Sequence, residues 1–494
     1  MNQFDDQKMM LSELLAGIAQ VPSDKDVQLT GISEYSLDVQ AGDVFIALSN
    51  LHYSQEAISN GAVAIIYPSG LGIDQAHIDS VLPYIACENL SVLVNDIIKR
   101  FYGDAASQIE TIAITGTDGK SSVAHLVTQA LEISGDACGL IGTLGYGRLN
   151  NLTEATHTTP PRSRLAREYT RLNNMGCKVV ALEASSHGIE QCRLHDLNIH
   201  TAVLTNITRD HLDYHKTLEN YIQAKAALFF EHDAKVAVIN LDDEIGQQWC
   251  EQLSVSLDVV SYSLTNPNAN VYASSIEYLS ASTSVCIHIN GAKVNVHTAL
   301  LGEFNVLNLL AVAAVLVSLQ KSNEQIAIAL NEIDAVPGRM QRVESDKNTN
   351  VIVDYAHTPA ALLAAINAVR QHCCGKLICV FGCGGDRDEG KRSQMGEVAS
   401  QYCDYVVITS DNPRNESAEI IIQAIKQGCV SNSQCESIVD RKEAIIHALE
   451  IADDGDAVLI AGKGHEKHQY IGNQIIEFDD VDVAKNVLQR MTHG

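Results

Sequence analysis

The sequence predicts an α/β protein built on parallel sheets. Apolar runs of strand length alternate with helical stretches along most of the chain, and the loops that leave those runs collect Gly, Asp, His and Arg. At 494 residues the chain also exceeds what one hydrophobic core usually supports, so the alternation is shared among domains. The first hundred residues mix short apolar runs, DVFIAL and GAVAIIY, with helix-like stretches and end at a linker, FYGDAAS. From Ile112 to about Met340 the runs TIAITG, CKVVALEAS, HTAVLTNI and KVAVINLD alternate with helices, one opening at Ser121 and one around YIQAKAALFF. Pro337 and Gly338 punctuate the chain before a further set of strands, TNVIVDYAH, KLICVFG, DYVVITS and AVLIAG. Domain boundaries drawn from this pattern are 1–107, 108–338 and 339–494.

Composition narrows the function classes. With 46% hydrophobic and 19% charged residues the chain is an ordinary globular sequence. A formal net charge of −27 argues against nucleic acid and anionic membrane as partners, because both need a basic surface. It leaves room for an anionic small molecule held by local Arg and Lys. Thirteen cysteines, an odd number without repeating spacing, do not form a disulfide framework. The start, MNQFDDQKMM, is acidic where a signal peptide is basic, and no apolar run reaches membrane-spanning length. The expected location is therefore the reducing cytoplasm. Cys373, Cys374, Cys379 and Cys383 invite a metal-site reading, but LICVFGCGG is an apolar strand-like run, in which thiols act as small hydrophobes.

TIAITGTDGKSS places a strand, a glycine-bearing turn and a helix start in succession. Backbone N–H groups in such a turn close on phosphate oxygens, Lys120 reaches the terminal phosphates, and a Ser hydroxyl suits Mg²⁺. The general P-loop has four residues between its glycine and the GK pair, whereas only Thr117 and Asp118 separate Gly116 from Gly119. In ALEASSHGIEQCR a strand ends at Glu183, followed by Ser185, Ser186, His187, Gln191 and Arg193; a carboxylate at the carboxyl end of a parallel strand sits where ligands bind and suits Mg²⁺. TNITRDHLDYH leaves the next strand with Asp210, His211, Asp213 and His215, a cluster that serves equally well as a capping turn or a solvated face. Lys225 stands among small and apolar neighbours in YIQAKAALFF, where a lysine ordinarily snorkels from a helix edge.

In the last third, VDYAHTP, GCGGDRDEGKR, TSDNPRNES and AGKGHE each follow a strand-like run, so four loops share one face. Asp354 suits a ribose hydroxyl, and Arg387 and Arg414 suit carboxylates through two-pronged hydrogen bonding. DNPR is also ordinary turn composition.

Taken together and in this order, TGTDGKSS, HTTP, EASSHG, TNITRDHLDYH, YIQAKAALF, GEFNVLN, PGRM, DYAHTP, FGCGGDRDEGKR, SDNPR and AGKGHE resemble the Mur ligase family over roughly residues 110 to 480. The resemblance implies three domains: an N-terminal UDP-binding α/β module, a central P-loop-type parallel-sheet ATPase domain and a C-terminal Rossmann-like α/β domain. It implies an ATP-dependent ligase of peptidoglycan synthesis that phosphorylates the D-Glu γ-carboxylate of UDP-N-acetylmuramoyl-L-Ala-D-Glu and lets an amine attack the acyl phosphate, with ATP and Mg²⁺ required. ATP falls to Gly116, Thr117, Asp118, Gly119, Lys120, Ser121 and Ser122, with Asn305, Asn308, Arg339, Asp354 and His357 in motifs near the nucleotide. Metal falls to Ser121, Glu183, His211 and Lys225, the last matching a lysine that the family carbamylates, and the catalytic set is Lys120, Glu183, His211 and Lys225. The UDP-sugar-peptide falls to Ser36, His157, Thr158, Thr159, Ser185, Gln191 and Arg193. DNPR resembles the form that takes meso-diaminopimelate rather than L-lysine, with Arg387, Asp411, Asn412, Pro413, Arg414, Gly462 and Glu466 in that pocket. The chain departs from the family at Asp118, commonly Asn, and at Tyr35-Ser36-Leu37, commonly a DSR triplet; of those three only Ser36 carries over. A folylpolyglutamate synthetase shares the ATP chemistry but typically lacks the N-terminal module and the DNPR loop. A silent nucleotide-binding scaffold would be free to lose Lys120, Glu183, His211 and Lys225. A monomer acting on small molecules, with neither nucleic acid nor membrane insertion, is expected.

Overall fold

A computed structural model describes residues 7–72, 82–344, 349–431 and 434–493. The chain divides into two units, Met1–Ser261 and Tyr262–Gly494.

The first unit opens with four parallel strands in the order β1 (Gly31–Ser33), β2 (Asp43–Ile46), β3 (Ala64–Pro68) and β4 (Tyr84–Cys87). Helix α1 (Leu90–Tyr102) covers them because Leu90, Val94, Ile97, Ile98 and Phe101 recur at helical spacing and bury into one cluster with Val44, Ile46, Ala64 and Ile66. Gly103, at a φ of +74°, ends it.

A second sheet follows, built from β5 (Glu110–Thr115), β6 (Cys138–Gly142), β7 (Gly145–Arg148), β8 (Asn151–Thr153), β9 (Val179–Glu183), β10 (Asn198–Leu204) and β11 (Val236–Asn240). Its order is β8-β7-β6-β9-β5-β10-β11. The five strands β6, β9, β5, β10 and β11 run parallel, and β7 and β8 turn back as an antiparallel edge. The register sets Glu183 beside Ile114 and Leu204 beside Thr115, so the ends of β9 and β10 flank the loop leaving β5. Helices α2 (Lys120–Ile133), α3 (Arg162–Asn174), α4 (Ser186–Glu190), α5 (Leu212–His215) and α6 (Leu218–Phe230) supply the crossovers. Two ion pairs from α3 reach the N-terminal module: Arg162 to Glu34 at 2.9 Å and Arg167 to Asp43 at 2.6 Å, with Arg167 also donating to the Tyr102 hydroxyl at 3.0 Å.

The second unit holds an antiparallel meander, β12 (Val271–Tyr278), β13 (Thr283–Ile289) and β14 (Ala292–Thr298). It interrupts the strand–helix alternation expected up to Met340, and its signature is in the sequence. Buried residues alternate with half-buried ones along β13 and with exposed ones along most of β14, and Asn290-Gly291, both at positive φ, make the two-residue hairpin turn. Two helices, α7 (Glu303–Ser318) and α8 (Asn323–Glu332), follow. The last sheet consists of β15 (Gln341–Val343), β16 (Asn350–Asp354), β17 (Leu377–Phe381), β18 (Tyr405–Ile408), β19 (Cys435–Ser437) and β20 (Ala457–Ala461), in the order β15-β16-β20-β17-β18-β19 with β15 alone antiparallel. Its crossover helices are α9 (Pro359–Gln371), α10 (Gly390–Tyr402), α11 (Ala418–Lys426) and α12 (Arg441–Glu450); a hairpin, β21 (His468–Ile471) and β22 (Gln474–Glu477), and α13 (Asp480–His493) close the chain. Cys379 and Cys383 lie buried in the hydrophobic cluster on one face of this sheet, while Cys374 is exposed.

Asp43 and Arg167 are both largely withdrawn from water, so removing one leaves a buried charge unpaired. Asp43→Ala is expected to destabilise the first unit by about 3 kcal/mol in denaturant unfolding. Asp43→Leu combined with Arg167→Met is expected to recover most of that loss; equal stability of all the variants would show that the pair does not hold the module.

Candidate functional site

In the first unit the site grows from the end of β5. Gly116, at a φ of +148°, lies so close to β10 that a Cβ there would come within 1.8 Å of the Thr205 hydroxyl. Gly119, at +82°, occupies the left-handed turn that starts α2. The loop is stapled to the segment after β10: Thr117 N donates to Asn206 O at 2.8 Å, Asp118 N to Asn206 Oδ1 at 3.0 Å, and the Thr205 hydroxyl to Asp118 O at 2.6 Å. Asp118 itself is exposed, so its extra charge relative to the family's Asn faces solvent. Lys120 Nζ donates to Gly116 O and Thr117 O at 2.9 and 2.8 Å, folded over the loop that it would serve.

Glu183, 1% exposed, ends β9 beside this loop. Its carboxylate accepts from the Ser121 hydroxyl at 2.8 Å, from Thr143 N at 2.7 Å and from the Thr143 hydroxyl at 3.2 Å. Its carbonyl accepts from the Thr159 hydroxyl at 2.6 Å, and that hydroxyl also meets Ser185 Oγ at 2.9 Å. Arg193 donates to Thr159 O and holds Gln191 Oε1, and Gln191 donates to Tyr214 Oη at 3.3 Å. Thr158 joins through Thr143, 3.1 Å between hydroxyls. Thus Thr158, Thr159, Ser185, Gln191 and Arg193 form one hydrogen-bonded network on Glu183. His157 stands next to it, its backbone tied to Tyr146 Oη and its ring edge-on to Tyr35 at 4.7 Å. Ser36 is buried in the N-terminal module with its hydroxyl on Glu56.

Lys225 does not snorkel. It is 1% exposed, and its Nζ donates to Gly116 O at 2.7 Å and lies 4.6 Å from the centre of the Tyr221 ring. Burial, and secondarily the charge of Lys120, push its pKa well below the usual lysine value. His211 starts α5 at a φ of +51° with its ring 6.3 Å from Tyr221 and 5.1 Å from His187. His215, buried, meets Ser186 Oγ at 2.9 Å.

A Mg²⁺ ion fits this donor set. Ser121 and Glu183 present a hydroxyl and a carboxylate 2.8 Å apart beside the Gly116–Gly119 turn, hard oxygen donors of the kind the ion prefers. Among the described residues no group of three or more His, Cys, Asp or Glu is placed to hold a metal ion by itself.

In the second unit the four loops do converge at the carboxyl ends of their strands. Asp354 ends β16 buried, accepting from Met340 N at 2.7 Å and Ala356 N at 2.8 Å; burial raises its pKa. Arg339 packs over the Tyr355 ring at 4.5 Å, and His357 Nδ1 lies 2.9 Å from Tyr355 O. Asn305 and Asn308 are buried on α7 and joined to each other at 3.1 Å. After β18, Asp411 Oδ1 accepts from Asn412 N at 2.6 Å, and Asn412 donates to Glu466 at 2.9 Å. Arg414, at a φ of +51°, bonds backbone-to-backbone with Tyr470 and places Nη1 2.8 Å from Gly385 O. Arg387 stays exposed, its stem near the same glycine turn. A Cβ on Gly462 would come 2.7 Å from Asp411 Oδ2, so these loops touch.

Several participants were not singled out from the sequence. Thr143, in the IGTLG turn after β6, follows a parallel strand and was findable on that ground. Lys463 is fully buried within AGKGHE and bridges Asn412, Glu466 and His468 O at 3.2, 3.2 and 2.6 Å. Its burial among glycines has no local sequence signal.

The turn Gly116–Gly119, the strand-end carboxylate of Glu183 and the buried Lys225 come together at one end of this sheet, an arrangement that suits nucleotide-dependent group transfer, and comparison with known proteins gives the family. Residues 114–316 match the Mur ligase middle domain and residues 338–464 the Mur ligase glutamate ligase domain. A UDP-N-acetylmuramoyl-L-alanyl-D-glutamate--2,6-diaminopimelate ligase of Coxiella burnetii is 41% identical over 472 residues, 94% of this chain and 96% of the relative. The enzyme of the same name from Vibrio vulnificus is 37% identical, covering 97% of this chain and 98% of its own. A solved structure of that name superposes with a TM-score of 0.68 at 35% identity, covering 99% of this chain and 100% of the other. The chain belongs to the Mur ligase family.

Gly142 abuts Glu183, where a Cβ would come within 2.1 Å of its carboxylate. Gly142→Ala is expected to displace that carboxylate and lower kcat about 100-fold with the fold retained, read by steady-state kinetics and circular dichroism. Unchanged kcat would remove Glu183 from the catalytic centre.

Proposed function

We propose that this chain joins meso-2,6-diaminopimelate to the D-Glu γ-carboxylate of UDP-N-acetylmuramoyl-L-Ala-D-Glu, converting ATP to ADP and phosphate through an acyl phosphate. The observation that carries the reading is Arg414: the DNPR loop holds it in a left-handed turn, its backbone paired to β21, with a guanidinium nitrogen 2.8 Å from Gly385 O and the Asn412 carbonyl and Arg387 stem beside the same glycine turn. A fixed guanidinium suits the distal carboxylate that distinguishes diaminopimelate from lysine. The name shared by relatives matched over nearly their whole length supports the same substrate.

In this reading the loop Gly116–Gly119 and the start of α2 cradle the ATP phosphates, and Lys120 swings from its carbonyl partners to the terminal phosphate. Asn305, Asn308, Arg339, Asp354 and His357 serve the nucleotide's other parts. Thr158, Thr159, Ser185, Gln191 and Arg193, with His157 and Ser36, hold the UDP-sugar-dipeptide. Ser121, Glu183, His211 and Lys225 as its carbamate would hold Mg²⁺, which neutralises the charge that develops on the transferring phosphoryl group. Carbamylation joins the neutral Lys225 amine to CO₂ with loss of one proton, and the remaining N–H can keep the bond to Gly116 O. The reading includes the division into 1–107, 108–338 and 339–494, a cytoplasmic location and a monomer. No helix among the described residues is long and apolar enough to cross a membrane.

Lys225→Ala is expected to abolish ligation with an unchanged circular dichroism spectrum, and a short-chain carboxylate should restore part of the activity by filling the vacated space. Wild-type turnover by the alanine variant would rule out the carbamate.

Substrate choice gives the decisive test. Lysine would leave the Arg414 cation without its partner, a loss of several kcal/mol, so wild type should prefer meso-diaminopimelate over L-lysine by ~100-fold or more in kcat/KM. Arg414→Ala should damage the diaminopimelate reaction far more than ATP binding. Equal use of lysine by wild type, or full preference retained by the variant, would overturn the assignment.

A further inference from the structure

We propose that Arg441, paired with Asp480, is a positioning residue that sets the separation of the two loops forming the diaminopimelate pocket; the inference rests on the reading of that pocket given above. Arg441 begins α12 and Asp480 begins α13, 1% and 0% exposed respectively. The pair is two-pronged, Nε to Oδ1 at 2.8 Å and Nη2 to Oδ2 at 2.7 Å. The guanidinium has donors left over, and they go to two backbone carbonyls: Ser410 O at 3.3 Å and Ala461 O at 3.0 Å.

Those carbonyls are placed to matter. Ser410 immediately precedes Asp411-Asn412-Pro413-Arg414, and Ala461 is the last residue of β20, immediately before Gly462 and the GKGHE loop. The two loops meet on the pocket side through Asn412 and Glu466 at 2.9 Å and through Lys463, which bonds both. One planar fork thus ties together, through their backbone, the same two loops that Asn412, Lys463 and Glu466 tie together through their side chains. Burying a guanidinium and a carboxylate forfeits their hydration, and the pair offsets that loss through directional bonds. Lysine carries the same charge but cannot reach both carboxylate oxygens and both carbonyls with one planar group. The arrangement therefore constrains distance as well as compensating charge.

A pair that merely fastens α13 to the sheet would affect every substrate alike, whereas a spacer between these loops acts on one. Arg441→Lys and Asp480→Asn are made in the full chain, and KM is measured separately for meso-diaminopimelate, ATP and the UDP-linked dipeptide, alongside thermal unfolding. In each variant the diaminopimelate KM is expected to rise about tenfold or more, with the other two within about twofold, and discrimination against L-lysine is expected to shrink. A diaminopimelate KM near wild type in folded variants overturns the proposal, as does a parallel rise in all three. If Arg441→Lys fails to fold, Asp480→Asn decides; if neither folds, the pair is a fold element and the proposal is overturned. Failure of wild type itself to use meso-diaminopimelate would instead overturn the functional reading, which the wild-type arm reports independently.

Discussion

Glu183 occupies the last position of a central strand, one strand over from the Gly116–Gly119 turn, and both ends of the residue are committed. Its carboxylate gathers Ser121 from the first turn of α2 and Thr143 from the loop after β6, while its carbonyl gathers Thr159 and, through it, Ser185. A buried carboxylate with these donors is satisfied, and losing any of them leaves an acceptor paying the full desolvation penalty. This constrains the residues around it. Gly142 has no room for a side chain, and the neighbours are small and hydroxylated. The network that reaches Arg193 and Gln191 hangs from the same backbone, so the start of α2 and the HTTP segment are held in register by one residue.

The protein buries several cations and treats them differently. Arg441 is matched by Asp480 in a closed two-pronged pair, which keeps it charged and chemically inert. Lys463 is held by an amide oxygen, a carboxylate and a carbonyl inside the loop to which it belongs. Lys225 accepts a poorer environment: carbonyl and hydroxyl oxygens, an aromatic face, and the charge of Lys120 nearby. The first two arrangements stabilise a charge in one geometry. The third lowers the lysine's affinity for its proton.

Much of this was legible from residue order. TIAITGTDGKSS announced a strand, a glycine turn and a helix because each part has its own local chemistry: β-branched residues, glycines that tolerate positive φ, and polar residues at a helix start. The four loops of the last sheet could be placed on one face because parallel strands separated by helices all point the same way. The meander Val271–Thr298 was missed although Asn290-Gly291 between alternating strands signals a hairpin. Lys225 could be matched to a family motif, yet its neighbours alone pointed to an ordinary surface lysine.

Fold class, the strand-end position of Glu183, the glycine turn between β5 and α2 and the family were determined by the sequence itself, because they depend on spacing within a few residues and on the order of motifs. Only the tertiary structure decided that Lys225 faces Gly116 rather than water, that Asp118 turns outward, and that Arg441 reaches Ser410 and Ala461 across 31 and 20 residues. The physical reason is that burial and hydrogen-bond partners are properties of what packs alongside. Those neighbours come from distant strands and helices whose contacts leave no periodic trace at the residue concerned.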